Sequence, residues 1–151
     1  LSGFRSYSSL KLECDTRPVV ITGKNGAGKT NILEAVSFLS PGRGLRRAPY
    51  DKVGLAGGSG AWTVFAKMQG ALGDVKIGTG LQQTSFGVET TRKVHINGAQ
   101  VKTSDELLGH SRILWLTPSM DGLLQVQPVT EEDFWTVLYL LLTLVAITTG
   151  V

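Results

Sequence analysis

Cysteine is nearly absent from this sequence of 151 residues, in which Cys14 is the single example. One cysteine cannot form an internal disulfide, so the sequence excludes the class of small disulfide-stabilised secreted domains and fits a reducing cytoplasm. The first residues also lack the basic segment and apolar block of a secretory signal peptide. They lack an initiator methionine as well, so we expect the N-terminus to be cut.

Histidine is scarce too, with only His95 and His110 in the sequence. Neither stands in a cluster of histidines, cysteines or carboxylates, so no transition-metal site is expected. Basic residues outnumber acidic ones, which gives a formal net charge of +3 and a pI of about 9.2. This mildly basic balance permits a polyanionic partner and does not require one.

Glycine, by contrast, is abundant, and three glycines lie within the eight residues 23–30. These residues match G-x-x-x-x-G-K-[ST], the pattern of a phosphate-binding loop. Glycines let the backbone turn tightly, and the exposed N–H groups form a nest for phosphate oxygens. Lys29 is expected to bind the β- and γ-phosphates, and the hydroxyl of Thr30 to bind Mg²⁺. The predicted nucleotide-binding residues are Gly23, Lys24, Asn25, Gly26, Ala27, Gly28, Lys29 and Thr30.

The residues on both sides of this loop support the prediction. Residues 18–22 are a short β-branched run, typical of a buried parallel strand. Residues 31–39 follow a helical period. The predicted apolar face of that helix consists of Ile32, Ala35, Val36 and Leu39, and Leu33 and Phe38 widen it. The helix N-terminus would direct partial positive charge at a bound anion, whereas the alternative is a glycine-rich turn that binds nothing.

Three later segments have the pattern of antiparallel strands. Residues 61–68, 74–81 and 92–96 predict a meander, which the turn pair Asn97-Gly98 closes. The polar residues 82–91 are expected to form a loop. Hydrophobic residues make up 42% of the chain, which is enough for the core of one domain.

Shorter patterns predict three further elements. Residues 10–14 alternate between apolar and polar types, which predicts a strand in which Cys14 is half-buried. Residues 103–108 resemble a short capped helix. The apolar run 113–116 predicts a buried strand.

Arginine is concentrated in residues 42–47, just after the predicted helix. Arg43, Arg46 and Arg47 lie there. Arginine forks match phosphate geometry, so contact with nucleotide or nucleic-acid phosphate is one interpretation. An ordinary solvated surface is the other.

Charged residues are absent from residues 134–151. This length of about 18 residues is at the lower edge of what spans a bilayer, so a membrane anchor is one interpretation. A buried helix of a larger core is another. The acidic residues 131–133 precede this tail where a basic cluster would flank an anchor.

Four stretches, in order, make the chain resemble the RecF family of bacterial DNA replication and repair proteins, which is related to the heads of SMC and Rad50 proteins. The stretches are Phe4-Arg5-Ser6-Tyr7, the loop and helix over 23–35, the turn over 42–46, and Ile96-Asn97-Gly98 together with residues 114–121. The resemblance covers roughly residues 1–124. It implies an α/β fold of the P-loop NTPase, ABC-head type: a sheet with the phosphate loop and helix plus an antiparallel β subdomain, here truncated.

The resemblance also implies a function, which is ATP-dependent action on DNA in replication, recombinational gap repair, recombinase loading and the SOS response. Expected cofactors are ATP and Mg²⁺. Expected partners are single-stranded DNA, gapped duplex DNA, RecO, RecR and a second copy of the chain in an ATP-dependent homodimer. The expected location is the cytoplasm, without membrane attachment.

Several individual roles follow from the same resemblance. Arg5 is expected to reach the nucleotide, and Arg43, Arg46 and Arg47 to contact DNA. Asp121 stands where related heads place the loop that senses γ-phosphate, although the usual glutamine is not evident there.

The resemblance stops after about Leu124, and residues 125–151 form a divergent apolar tail. We hypothesise that a frameshift or a false end of the gene model produced this tail. The sequence contains no Walker B acidic pair at the end of an apolar strand and no signature motif, so no catalytic residue is assigned and ATP hydrolysis is left open. The alternatives are a non-catalytic truncated remnant and an SMC-like P-loop ATPase of another branch.

Overall fold

The computed structural model describes residues 1–70, 73–85, 87–115 and 139–140. Within these residues the chain forms the α-helix α1 (Lys29–Ser37), two short 3₁₀ helices (Tyr50–Lys52 and Ser104–Gly109) and ten strands. The strands are β1 (Ser2–Phe4), β2 (Tyr7–Ser9), β3 (Val19–Val20), β4 (Trp62–Gly70), β5 (Gly73–Leu81), β6 (Gln83–Thr84), β7 (Gly87–Val88), β8 (Lys93–Ile96), β9 (Ala99–Gln100) and β10 (Tyr139–Leu140).

A six-stranded antiparallel sheet, in the order β2-β1-β4-β5-β8-β9, forms the framework. Strands β4 and β5 pair over their whole length, and β8 adds to the other edge of β5. The turn between β8 and β9 has positive φ at both Asn97 and Gly98, which matches the right-handed twist of a tight hairpin. The predicted meander and its turn pair are therefore confirmed.

One face of this sheet packs against α1, and the core lies between them. Three aromatic rings form its centre: Trp62 lies 5.6 Å from Phe4 and 4.9 Å from Phe38, measured between ring centroids. All three side chains are buried, and the indole N–H of Trp62 donates to the main-chain oxygen of Tyr50 at 2.8 Å. A tryptophan that keeps a hydrogen-bond partner can be buried without an unpaired donor.

Arg92 joins the meander to the end of α1. Its guanidinium donates to the main-chain oxygens of Phe38, Ser40 and Gly42 and to the hydroxyl of Thr79. It also lies over the ring of Phe38, with 5.3 Å from Cζ to the centroid. Phe38 is the C-cap residue of α1, and its carbonyl carries partial negative charge that a cation stabilises, while Ser40 and Gly42 lie in the turn that follows. Burial lowers the pKa of Arg92, and Tyr50 partly offsets this effect.

The strand before the phosphate loop differs from its prediction. Residues 18–22 were expected to form a buried parallel strand, but only Val19–Val20 is extended, and it pairs antiparallel with Tyr139–Leu140. Val20 is 52% exposed. No parallel partner for β3 occurs among the described residues, and a strand is buried on both faces only when neighbours cover it.

The helix buries most, but not all, of the predicted apolar face. Four residues are buried as expected, whereas Ile32 and Val36 are only half-buried; the buried four are Leu33, Ala35, Phe38 and Leu39. Glu34, which was not part of the predicted face, is buried as well. The buried stripe is therefore shifted within the predicted face and extended to Glu34, with which Arg5 and Arg46 pair.

Three shorter predictions are also corrected. Residues 10–14 form no strand, since the extended segment is Tyr7–Ser9, and Cys14 is exposed. Residues 113–115 are not in a strand, and Leu114 is 91% exposed; Leu116 lies outside the described residues. Residues 82–91 contain the small hairpin of β6 and β7. The predicted capped helix is present as the 3₁₀ helix Ser104–Gly109, with a reciprocal capping box.

Candidate nucleotide-binding site

The phosphate loop turns directly into α1, which begins at Lys29. Gly26 and Gly28 have φ angles of +81° and +92°, a left-handed conformation that favours glycine. No side chain caps the helix N-terminus. The N–H groups of Gly26, Gly28 and Lys29 meet no acceptor in the part of the chain that the structure describes. Such unpaired donors at a helix N-terminus are suited to bind an anion.

The ammonium group of Lys29 lies over the loop. It donates to the main-chain oxygens of Gly23 at 2.5 Å and Lys24 at 2.9 Å. Both acceptors are exposed, so the ammonium can exchange them for phosphate oxygens without uncovering a buried carbonyl. Thr30 is exposed, and its hydroxyl has no hydrogen-bond partner among the described residues. The residues present therefore fit a phosphate group and a hydrated Mg²⁺.

The opening motif packs against this loop. The hydroxyl of Tyr7 lies 3.4 Å from the main-chain oxygen of Ala27, and the Asn31 amide donates to the hydroxyl of Ser6 at 2.9 Å. A Cβ at Gly28 would lie 2.5 Å from the Tyr7 hydroxyl oxygen. Gly28 is therefore required both by its φ angle and by the close approach of Tyr7, and only the second requirement was hidden from the sequence.

A buried carboxylate organises the residues behind the loop. Glu34 on α1 is completely buried. Its two oxygens accept hydrogen bonds from Arg5 at 2.8 and 2.6 Å and from Arg46 at 2.7 Å. Arg46 also donates to the Asn31 side chain at 2.8 Å. Glu34 thus joins the opening motif, the helix and the arginine loop through charge-assisted hydrogen bonds.

Sequence reasoning did not single out Glu34. The sequence signal that could have identified it is an acidic residue in the middle of an apolar helix. An acidic residue is buried only when it is paired, so this position indicates a buried ion pair. The partners come from positions 29 residues before it and 12 residues after it, so only the tertiary structure identifies them.

The structure gives the four predicted arginines different surroundings. Arg5 uses Nε and Nη2 for Glu34 and Nη1 for the main-chain oxygen of Lys52, so its expected contact with nucleotide stays a prediction. Arg46 is held by Glu34 and Asn31. Arg43 and Arg47 are exposed and make no ion pair with a described residue. Their contact with DNA stays a prediction.

Other expectations concern what the described residues hold beyond this site. These residues contain no cluster of three or more histidines, cysteines or carboxylates suited to a metal ion. Among the same residues, no helix is long and apolar enough to cross a membrane. Asp121 and nearly all of the tail lie outside them.

Comparison with known proteins connects this geometry to a family. The model of a family described as an AAA domain matches residues 1–112. The chain is 55% identical over 124 residues to the DNA replication and repair protein RecF of Rhizobium leguminosarum bv. trifolii, and 56% identical over 123 residues to RecF of Rhizobium meliloti. Each alignment covers 82% of this chain and 32% of the relative, so the chain spans about a third of the length of these relatives.

Solved structures of RecF proteins also match this chain. A structure of the recombination mediator protein RecF with ATP, described as part of the RecFOR pathway, superposes with a TM-score of 0.67 at 28% identity. This match covers 78% of the chain and 30% of the solved protein. A second RecF structure matches with a TM-score of 0.65. The mixed α/β fold expected for part of an ABC-type P-loop head and the expected resemblance to RecF are confirmed, and the chain belongs to the AAA domain family.

Proposed function

We propose that this chain is part of the ATP-binding head of a RecF-type protein of DNA replication and repair. The observation that carries the proposal is the uncapped N-terminus of α1, with unpaired N–H groups at Gly26, Gly28 and Lys29 beside the Lys29 ammonium. Four-fifths of the chain aligns with RecF proteins, and a related structure is described as RecF with ATP.

Each residue of the loop has a distinct role in this proposal. The backbone of residues 23–28 surrounds the phosphates, and Lys29 moves from the loop carbonyls to the β- and γ-phosphate oxygens. Thr30 contributes its hydroxyl to Mg²⁺, which neutralises phosphate charge when it is bound. Glu34 binds Arg5 and Arg46 behind the loop, and these ion pairs fix the position of the opening motif relative to α1.

The wider activity is proposed by family membership. It comprises binding of single-stranded and gapped duplex DNA, cooperation with RecO and RecR, and ATP-dependent pairing of two heads in the cytoplasm. Exposed Arg43 and Arg47 are the proposed DNA contacts of the arginine loop. Nucleotide binding is proposed for this chain, whereas turnover in the family is expected to need a Walker B pair and a signature motif that the sequence does not display.

The proposed boundary of the head lies near Leu124, and residues 125–151 are proposed to result from a shifted reading frame. The change to an apolar, uncharged composition supports this boundary. Resequencing the gene across these codons tests it. A second frame that encodes an arginine-rich helix, a signature motif and a Walker B pair would support the proposal, and three frames without them would contradict it.

Thermal denaturation with increasing ATP–Mg²⁺ tests nucleotide binding. A ligand that binds only the folded state stabilises it by about 2.7 kcal/mol at 100 times its Kd, which is several degrees in Tm for a chain of this size. We expect Lys29→Ala to lose most of this shift. The matched control is Lys11→Ala, since Lys11 is exposed and pairs only with Glu13.

Two results would contradict the assignment. A Lys29→Ala variant that responds as strongly as the parent would place the nucleotide elsewhere. A parent chain whose Tm does not change with ATP–Mg²⁺ would support the alternative of a non-binding remnant.

A further inference from the structure

The outer face of the sheet, opposite α1, carries a groove that the phosphate-loop site does not use. Strand alternation places Phe65 of β4, Lys76 and Gly78 of β5, and Lys93 and His95 of β8 on this face. Phe65, Gly78 and His95 are direct cross-strand neighbours in one row. The groove is thus built on the most extensively paired part of the molecule.

Two glycines of β5 form the floor of this outer-face groove. Gly80 is fixed by close strand approach, because a Cβ there would lie 2.0 Å from the main-chain oxygen of Trp62. Gly78 is different, since its Cβ would meet only the Phe65 ring at 3.8 Å. Strand geometry would therefore allow a side chain at position 78. Because the residue there is glycine, space is left open beside the Phe65 ring. The resulting cavity has a volume of about 340 Å³, within the range of small-ligand sites.

Phe65 forms the apolar wall of the groove. Its side chain is 58% exposed, on the face of the sheet that points away from the core. An exposed aromatic face on a rigid sheet is a platform on which a planar base can stack. A base inside a duplex has both faces covered by its neighbours, so only an unpaired base can use such a platform.

Basic side chains line the rest of the groove. Lys76 and Lys93 border it together with His95 and Asn97. Lys76 has no carboxylate partner among the described residues, and it stands directly opposite Lys67 across the β4–β5 pair. Lys67 is bound by Asp74 at 3.2 Å, and Lys93 lies 3.7 Å from Glu89. Asp74 already offsets the charge of Lys67, so Lys76 remains the groove lysine without a carboxylate partner among the described residues.

We propose that this groove binds single-stranded nucleic acid, with one unpaired base stacked on Phe65 and its neighbouring phosphates held by Lys76 and Lys93. The chemistry that selects the ligand is the combination of an aromatic platform, an open glycine floor and two lysines, of which Lys76 has no carboxylate partner among the described residues and Lys93 lies 3.7 Å from Glu89. The inference rests on the proposed function, because it assigns the proposed single-stranded DNA partner to a particular surface. That surface lies on the opposite side of the sheet from α1, so its variants leave the phosphate loop unchanged.

The experiment measures fluorescence anisotropy of the full 151-residue chain with a labelled short oligothymidylate. An abasic oligomer of the same length and a duplex of the same length are the comparison ligands. We expect the parent to bind oligothymidylate about tenfold or more tightly than the abasic oligomer, as stacking on one aromatic side chain predicts.

Four variants separate the parts of the groove. Phe65→Leu keeps an apolar cover over Gly78 and removes the π-face, so affinity should fall about tenfold, whereas Phe65→Trp should retain it. Gly78→Val should reduce affinity similarly by filling the groove. Lys76→Ala should weaken every single-stranded ligand and reduce the salt slope by about 0.7, the value for one phosphate contact, while the control Lys11→Ala leaves it unchanged.

The outcomes distinguish this inference from the proposed function. Equal affinity of the parent for the abasic oligomer, or unchanged affinity of both Phe65→Leu and Gly78→Val, would overturn the groove assignment. So would tighter binding of the duplex, or a parent that binds no oligonucleotide. An unchanged Tm response of the same variants to ATP–Mg²⁺ would show in each case that the nucleotide site is intact and that only the outer-face groove is wrong.

Discussion

Replacing Glu34 tests whether the buried carboxylate holds the region behind the phosphate loop together. Glu34→Gln keeps the size of the side chain and one carbonyl acceptor, but it removes the charge shared by Arg5 and Arg46. Both arginines would then face an amide in a position that is completely buried in the parent. We expect a cooperative loss of stability without a change of fold.

The magnitude follows from the three hydrogen bonds at 2.6 to 2.8 Å. Hydrogen bonds to charged groups contribute about 1.5–3 kcal/mol each, and removing one partner of a buried pair costs about 3–5 kcal/mol. The side chains of Arg5 and Arg46 are 20% and 40% exposed, so water recovers part of their solvation. We therefore expect about 2–3 kcal/mol for Glu34→Gln and, with an added cavity, about 3–5 kcal/mol for Glu34→Ala.

Urea denaturation followed by tryptophan fluorescence measures the free energy of unfolding, provided that the m-value is unchanged. Glu13→Gln is the matched control, because Glu13 pairs with Lys11 at 2.6 Å with both side chains about four-fifths exposed. Exposed pairs contribute about 0–1 kcal/mol, so this control should change stability little. A Glu34→Gln variant as stable as Glu13→Gln would refute the reasoning. A double-mutant cycle with Arg46→Met isolates that one pair.

Two further predictions concern residues whose role depends on close approach. Arg92→Met should destabilise the chain by about 3 kcal/mol or more in the same urea assay, because it leaves the buried main-chain oxygens of Phe38 and Ser40, just after α1, without their donor, while Lys93→Met at the half-buried neighbour should cost little. Equal costs for the two variants would contradict this role of Arg92. Gly28→Ala should abolish the Tm response to ATP–Mg²⁺ and destabilise the chain more than Gly26→Ala, because both positions have positive φ but only Gly28 approaches Tyr7. Equal behaviour of the two alanine variants would show that the contact with Tyr7 is unimportant.

Local patterns in the sequence were sufficient for elements that depend on neighbours along the chain. The phosphate loop, the meander of β4, β5 and β8 and the turn at Asn97-Gly98 all lie where the sequence predicts them. Each is set by backbone preferences of glycine and asparagine or by the two-residue alternation of a strand, and these preferences act over a few residues. The capping box of Thr103 and Glu106 belongs to the same class.

Patterns that depend on a covering partner were less informative. Residues 10–14 alternate like a half-buried strand, yet residues 11–14 are exposed, and the apolar residues 113–115 form no strand. Alternation of apolar and polar residues indicates which side chains could be buried. They are buried only when another helix or sheet packs against that face of the strand. The same reason explains why β3 is half-exposed where a buried strand was expected.

The sequence by itself was sufficient to predict a phosphate-binding site, because the loop, its lysine and its threonine are contiguous and the prediction rests on their types. Only the tertiary structure decided that Glu34 is bound by Arg5 and Arg46, and that Arg92 completes the end of α1. The partners of these charged residues are 12 to 54 residues away along the chain. Buried charges must be paired, but the identity of the pair is set by which surfaces the folded chain brings into contact.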